Sequence, residues 1–122
     1  MTDMHVNVAA TMHKTPLYVY VSGPYTLGGQ GENVRRAVLV ADAIRNLGHC
    51  FPFVPHLFHH WDMISPRSYT DWLQLCIAYL RKCDVFVRLP GVSQGSDAEE
   101  AVAQEMHIPI YHDYQKFLDE HG

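Results

Sequence analysis

The chain has 122 residues, 48% of them apolar, and a formal charge of −4 from 9 basic and 13 acidic residues. That length and composition describe one folded domain with its own core and exclude a disordered chain. The lack of a basic excess argues against a nucleic-acid polymer as partner, but a few local donors still suffice for a small anionic ligand.

Residues 1–14 lack the apolar core and cleavage pattern of a signal peptide and read as an N-terminal arm before a domain over 15–122. Residues 17–22, Leu-Tyr-Val-Tyr-Val-Ser, form a short apolar and aromatic run that predicts a buried first strand. The 23–31 segment holds four of the eight glycines and reads as a loop. From Glu32 the period becomes helical, with Val34, Ala37, Val38, Ala41, Ile44 and Leu47 on one face and Gly48 where a C-cap belongs. Residues 50–55 predict a second strand, weakened by Pro52 and Pro55. Residues 56–67 are irregular, rich in histidine and aromatics. Ser68 or Thr70 caps a helix to about Lys82, with Leu73, Cys76, Ile77 and Leu80 on one face. A third strand covers 85–89, a helix 96–106, a short strand 108–111 and a last helix 114–120.

Strand and helix alternate, which predicts a three-layer α/β domain with a parallel sheet covered on both faces. Ligands bind such sheets at the C-terminal strand ends, near a switch in strand order. Two glycine-containing loops fall there, 23–31 and 90–95, and both lead into helices. In the first, Ser22, Gly23, Pro24, Tyr25, Gly28 and Gly29 can bring backbone N–H groups close to a phosphate or sugar. Asn33, just beyond it, joins these as a candidate binding residue. The loop is neither G-x-G-x-x-G nor a Walker motif, and an ordinary strand-to-helix connection explains it equally well. In the second, Ser93 and Gly95 precede a helix. Ser93 or Ser96 acts as an N-cap, or a hydroxyl binds phosphate. Asp97 joins Ser93 and Gly95 as a candidate binding residue, and Glu99 and Glu100 follow in the first turns, where acids suit the helix dipole. The packed side of this helix reads as Ala98, Ala101 and Val102, with Glu99 at its border. A carboxylate turned inward there can attack a sugar carbon or stabilise an oxocarbenium ion.

Cys50, Cys76 and Cys83 are an odd set with no C-x-x-C, which suits a reducing, cytoplasmic setting and predicts neither a disulfide framework nor a zinc knuckle. His56, His59 and His60, with only Asp62 nearby, lack zinc-ligand spacing, so no metal is expected. No apolar run reaches the length of a membrane span, and no membrane partner is expected.

The combined motifs resemble the nucleoside 2-deoxyribosyltransferase-like superfamily, especially its small members related to deoxynucleoside 5′-monophosphate N-glycosidases. The resemblance runs over 17–112 and rests on Tyr20-Val21-Ser22-Gly23-Pro24-Tyr25, Pro55-His56-Leu57, Cys83-Asp84, Leu89-Pro90-Gly91, Ser93-x-Gly95-x-Asp97-x-Glu99 and Ile108-Pro109-Ile110. It implies a flavodoxin-like, doubly wound sheet and cleavage of a base–(deoxy)ribose bond in a small nucleotide or nucleoside, without a cofactor. It implies Glu99 as nucleophile, Ser93 on a 5′-phosphate, Tyr20 beside the sugar and the 23–31 loop around the phosphate. With these go His56 and Tyr25 in the pocket, and a homodimer or higher homo-oligomer. One position departs from the pattern. Where the superfamily carries an aspartate eight residues before Asp84, this chain has Cys76, and a thiol does not replace a carboxylate as acceptor or proton relay. That departure keeps a second reading open, a nucleotide-binding or sensing module without turnover. A nicotinamide-nucleotide glycohydrolase is a third.

Overall fold

The computed structural model describes residues 14–25 and 29–122. Gly28 and nearly all of the expected N-terminal arm lie outside the described residues. In chain order the elements are β1 (Leu17–Ser22), α1 (Gln30–Arg45), β2 (Cys50–Phe53), a 3-10 turn (Pro55–Leu57), α2 (Phe58–Ile64), α3 (Tyr69–Leu80), β3 (Val85–Arg88), α4 (Gln94–Glu105), β4 (Ile110–Tyr111) and α5 (Tyr114–His121). The four strands form one parallel sheet in the order β2-β1-β3-β4. The order reverses between β1 and β3, which opens a crevice at their C-terminal ends. This is the three-layer, doubly wound α/β fold expected. Pro52 is accommodated because β2 is an edge strand.

The period of two along β1 and β3 separates the layers. Val19, Val21, Val85 and Val87 pack against Ala37, Val40, Ala41 and Ile44 of α1 and Phe117 of α5. Tyr20 and Phe86 point to the other face, against Cys76 and Leu80 of α3 and Ala103 of α4. Their rings stack at 5.7 Å. Ser22 and Arg88 are register partners and continue that second face to the sheet edge.

Several details differ from the sequence reading. The buried stripe of α1 includes Asn33 and Val40, whereas Val38 is exposed. Asn33 is drawn inward because its Nδ2 donates to the Tyr25 carbonyl at 3.1 Å. α1 ends at Arg45 with Asn46 as C-cap, so Gly48 (φ 91°) serves the following turn. The stretch expected to be irregular contains α2, too short to show a period. On α4 the buried positions are Ser96, Glu99 and Ala103, and Ala101 faces solvent. Glu99 is thus central to the packed face, not at its border.

Candidate active site

β1 brings Tyr20 and Ser22 to the sheet edge, two residues apart on one face, and α4 lays Glu99 across them. The Tyr20 hydroxyl donates to Glu99 Oε2 at 2.5 Å, and the Ser22 hydroxyl donates to Oε1 at 2.7 Å. Ser96 Oγ lies 2.8 Å from Ser22 Oγ. The single Ser22 proton goes to the carboxylate, so the Ser96 hydroxyl is the donor of that second bond. Both Glu99 oxygens are fixed, and only 8% of the residue is exposed. Burial pushes the Glu99 carboxyl above the ordinary glutamate value; the Tyr20 and Ser22 hydrogen bonds and the Arg88 charge oppose that rise.

Glu99 forms part of the wall of a cavity of about 700 Å³ between the β1 and β3 ends, α2, α3 and the start of α4. Its polar lining includes Ser22, Ser93, Gly95, Ser96 and Glu99; its aromatic lining includes Phe58, Tyr69 and Trp72, with the Tyr69 hydroxyl close to Gly95. Phe58 and Trp72 stack at 5.3 Å, and Trp61 meets both edge-on, which stiffens this wall.

The α4 start is shaped by its cap. Ser93 Oγ accepts from Ser96 N at 3.0 Å, so the capping role holds. Its hydroxyl proton remains free to donate into the cavity. The turn before it depends on Gly91, whose φ is 121° and whose added Cβ would meet Pro24 Cγ at 2.5 Å. This contact docks the 90–95 loop on the start of the 23–31 loop. The Pro24 carbonyl in turn accepts from His56 Nε2 at 2.9 Å. That bond puts the proton on Nε2 and leaves Nδ1 without a partner among the described residues. Burial pulls His56 below the ordinary histidine value, with the Pro24 and Gly23 carbonyls opposing, so the ring is neutral at neutral pH.

The candidates from sequence thus fall in different places. Ser22, Gly23, Tyr25, His56, Ser93, Gly95 and Glu99 converge on the cavity. Tyr20 is fully buried behind the carboxylate and reaches the cavity only through Glu99. Pro24 and Asn33 do not line the cavity: the Pro24 carbonyl holds His56, Asn33 holds the Tyr25 carbonyl, and Gly29 is the exposed N-cap position of α1. Asp97 points away and pairs with Arg88.

Cys76 lies in the cavity wall beside Tyr20 and Glu99. Burial, then the Glu99 charge, pushes its thiol up to about 12, so it stays protonated. Asp71 does not reach the cavity and pairs with Arg67. The second carboxylate of the cavity is Asp62, which sequence reasoning weighed only as a metal ligand. Its Oδ1 accepts from Arg67 N at 3.1 Å and from Trp72 Nε1 at 2.7 Å. Those bonds hold its carboxyl below the usual range. Tyr25 hydrogen-bonds His59 Nδ1 on the same wall. Nothing in the local pattern of 56–67 marks this wall, because the short α2 and the start of α3 meet only in three dimensions.

Among the described residues, no group of three or more His, Cys, Asp or Glu side chains is placed to hold a metal ion, and no helix is long and apolar enough to cross a membrane. No curated protein matches the chain. Among solved structures, the fold is similar to a 2-deoxyribosyltransferase of Bacillus psychrosaccharolyticus, described as a biocatalyst for synthesis of antiviral and antitumoral nucleosides. The TM-score is 0.53 at 17% identity, covering 76% of this chain and 69% of that one, and a likeness at that identity concerns the fold alone. Residues 17–112 match the family model "Domain of unknown function (DUF4406)", and because that match spans most of the sequence, the chain belongs to this family.

Proposed function

We propose that the protein cleaves or transfers the N-glycosidic bond of a small nucleoside or nucleoside 5′-monophosphate, with Glu99 as nucleophile. The observation that carries the reading is Glu99 itself: a buried carboxylate, both oxygens held by hydroxyl donors, in the wall of a cavity large enough for such a ligand. In the first step a Glu99 oxygen bonds to the anomeric carbon while the C–N bond breaks, its electron pair leaving with the base, which takes up a proton from solvent. In the second, water or another base attacks the same carbon, loses its proton and releases the Glu99 carboxylate. The raised Glu99 value suits a basic nucleophile, and the two hydroxyls hold it in line. Tyr20 is a positioning residue in this scheme, since it touches Glu99 and not the cavity.

The polar lining suits the sugar and phosphate. The exposed N–H groups at the start of α4 and the free Ser93 hydroxyl proton are donors for a 5′-phosphate. The aromatic wall suits the base, with the His56 ring beside it. Chromatography of free base released from a panel of nucleosides and 5′-monophosphates tests the reading. Wild type releases base and Glu99→Gln does not; equal release by both removes Glu99 from the chemistry.

Cys76 specifically supports the second reading. A thiol that stays protonated stands where the resemblance expects a carboxylate, which favours binding without turnover. Calorimetry with the same panel separates the two: nucleotide binding with no base released over hours selects the binding module. Free nicotinamide from a dinucleotide in the same assay would instead select glycohydrolase chemistry.

A further inference from the structure

We propose that Arg88 is a positioning residue for Glu99: its guanidinium grips Asp97 and Glu100, on either side of Glu99 in α4, sets the rotation of that helix over the sheet edge and holds a permanent positive charge behind the carboxylate. Arg88 Nη2 lies 2.7 Å from Asp97 Oδ1, and Nη1 lies 3.3 Å from Glu100 Oε1. Its side chain is only 16% exposed, against 67% for Asp97, so the clamp is anchored in the sheet and reaches outward. Asp97 and Glu100 are three residues apart and share one edge of the helix. A planar fork that engages both restrains rotation about the helix axis, which a single point charge does not. His112, just past β4, meets Glu100 Oε1 at 3.0 Å and ties the second arm to the neighbouring strand.

The register explains why this edge controls the site. Arg88 ends β3 beside Ser22, which ends β1, and parallel neighbours in register share a face. Turning α4 off Arg88 would therefore lift Glu99 away from Ser22 and Tyr20. The ionisable groups that face Glu99 are Tyr20 from β1, Cys76 from α3 and Arg88 from β3, with Asp97 and Glu100 on its own helix. Burial keeps the Tyr20 hydroxyl and the Cys76 thiol neutral. Arg88 is then the cation that opposes the desolvation of Glu99. None of Arg88, Asp97 and Glu100 lines the cavity, so a substrate need not touch them.

The inference rests on Glu99 as the reacting carboxylate, but its first test needs no substrate. Glutamate-labelled protein is titrated by carbon NMR, with the Glu99 signal assigned by its loss in Glu99→Gln. The Glu99 midpoint moves away from its wild-type value in Arg88→Lys and in Arg88→Met, upward where Glu99 stays buried without the Arg88 charge. A folded Arg88→Met with the wild-type midpoint overturns the proposal. If Arg88→Met does not fold, Arg88→Lys decides, and an unchanged Glu99 midpoint overturns it. Where base release is measurable, Arg88→Lys lowers kcat roughly tenfold or more with little change in KM. An unchanged kcat refutes the positioning. A wild type that releases no base refutes the proposed chemistry while the titration still decides the role of Arg88.

Discussion

Replacing Tyr20 by phenylalanine separates the hydroxyl's interactions with Glu99 and Cys76 from the packing of the ring. The ring keeps its place between Phe53 and Phe86, at 5.5 and 5.7 Å, because phenylalanine has the same shape. What is lost is the hydroxyl that donates to Glu99 Oε2 and also meets the Cys76 thiol. A hydrogen bond to a charged, buried acceptor is worth about 1.5–3 kcal/mol. For a chain of this length that is a fall in Tm of roughly 5–15 °C. The loss should depend on pH. Glu99 has a raised carboxyl value in the folded state, so the native protein binds its proton more readily than the unfolded chain does. Stability contributed by this group is therefore highest below the ordinary glutamate value and falls as pH rises through the folded one. Tyr20→Phe raises the folded value further. The deficit of the variant is accordingly small in acid and opens as pH rises through the wild-type Glu99 value. Thermal unfolding of wild type, Tyr20→Phe, Glu99→Gln and the double variant at roughly pH 4 and pH 8 measures this. In the Glu99→Gln background the Tyr20→Phe cost should shrink and lose its pH dependence. An equal deficit at both pH values, or the same cost in both backgrounds, refutes the view that Tyr20 stabilises an ionised Glu99.

Ser93→Ala removes the α4 cap and should cost about 1 kcal/mol in urea unfolding; in calorimetry it should weaken 5′-monophosphates more than nucleosides. Gly91→Ala places a Cβ 2.5 Å from Pro24 Cγ at a positive φ, so it should lower the unfolding midpoint and disturb the His56 ring resonances, because Pro24 carries the carbonyl that His56 holds. Native alkylation at pH 8 followed by mass spectrometry should leave Cys76 and Cys83 unmodified on a timescale that labels all three cysteines in urea, since burial has pushed their thiols up to about 12 and about 11.

The layers of the fold were legible because strands and helices alternate along the chain, and the period of two within β1 then divides its side chains between them. Val19 and Val21 go to one side, Tyr20 and Ser22 to the other. The errors share a physical cause. A hydrophobic stripe locates the packed face of a helix only where the packed residues are apolar. On α1 the face is completed by Asn33, which holds the Tyr25 carbonyl, and Val38 is left outside. On α4 it is completed by Ser96 and Glu99, and Ala101 is left outside. In both places a polar side chain is buried, Asn33 holding the Tyr25 carbonyl and Ser96 and Glu99 lining the cavity, so the pattern fails where polar groups complete the packing. The aromatic wall was illegible for another reason. Phe58, Tyr69 and Trp72 come from α2 and the first turns of α3, and no periodicity joins them.

The Cys76 position bears on how a base would leave. With an aspartate there, two carboxylates would share the Tyr20 neighbourhood, and mutual repulsion would keep one of them protonated and able to donate. Beside Tyr20 there is instead one carboxylate, Glu99, held by the neutral Tyr20 and Ser22 hydroxyls with the protonated Cys76 thiol next to it. Asp62 does not fill the gap, because the Arg67 and Trp72 N–H groups hold its carboxyl below the usual range, where it accepts hydrogen bonds and gives no proton at neutral pH. His56 has committed its Nε2 proton to the Pro24 carbonyl. Chemistry at Glu99 then has no second carboxylic acid to protonate the departing base, and the rate of base release should follow the intrinsic leaving ability of each base steeply. A flat series across bases of different acidity would mean that some group of the protein does supply the proton.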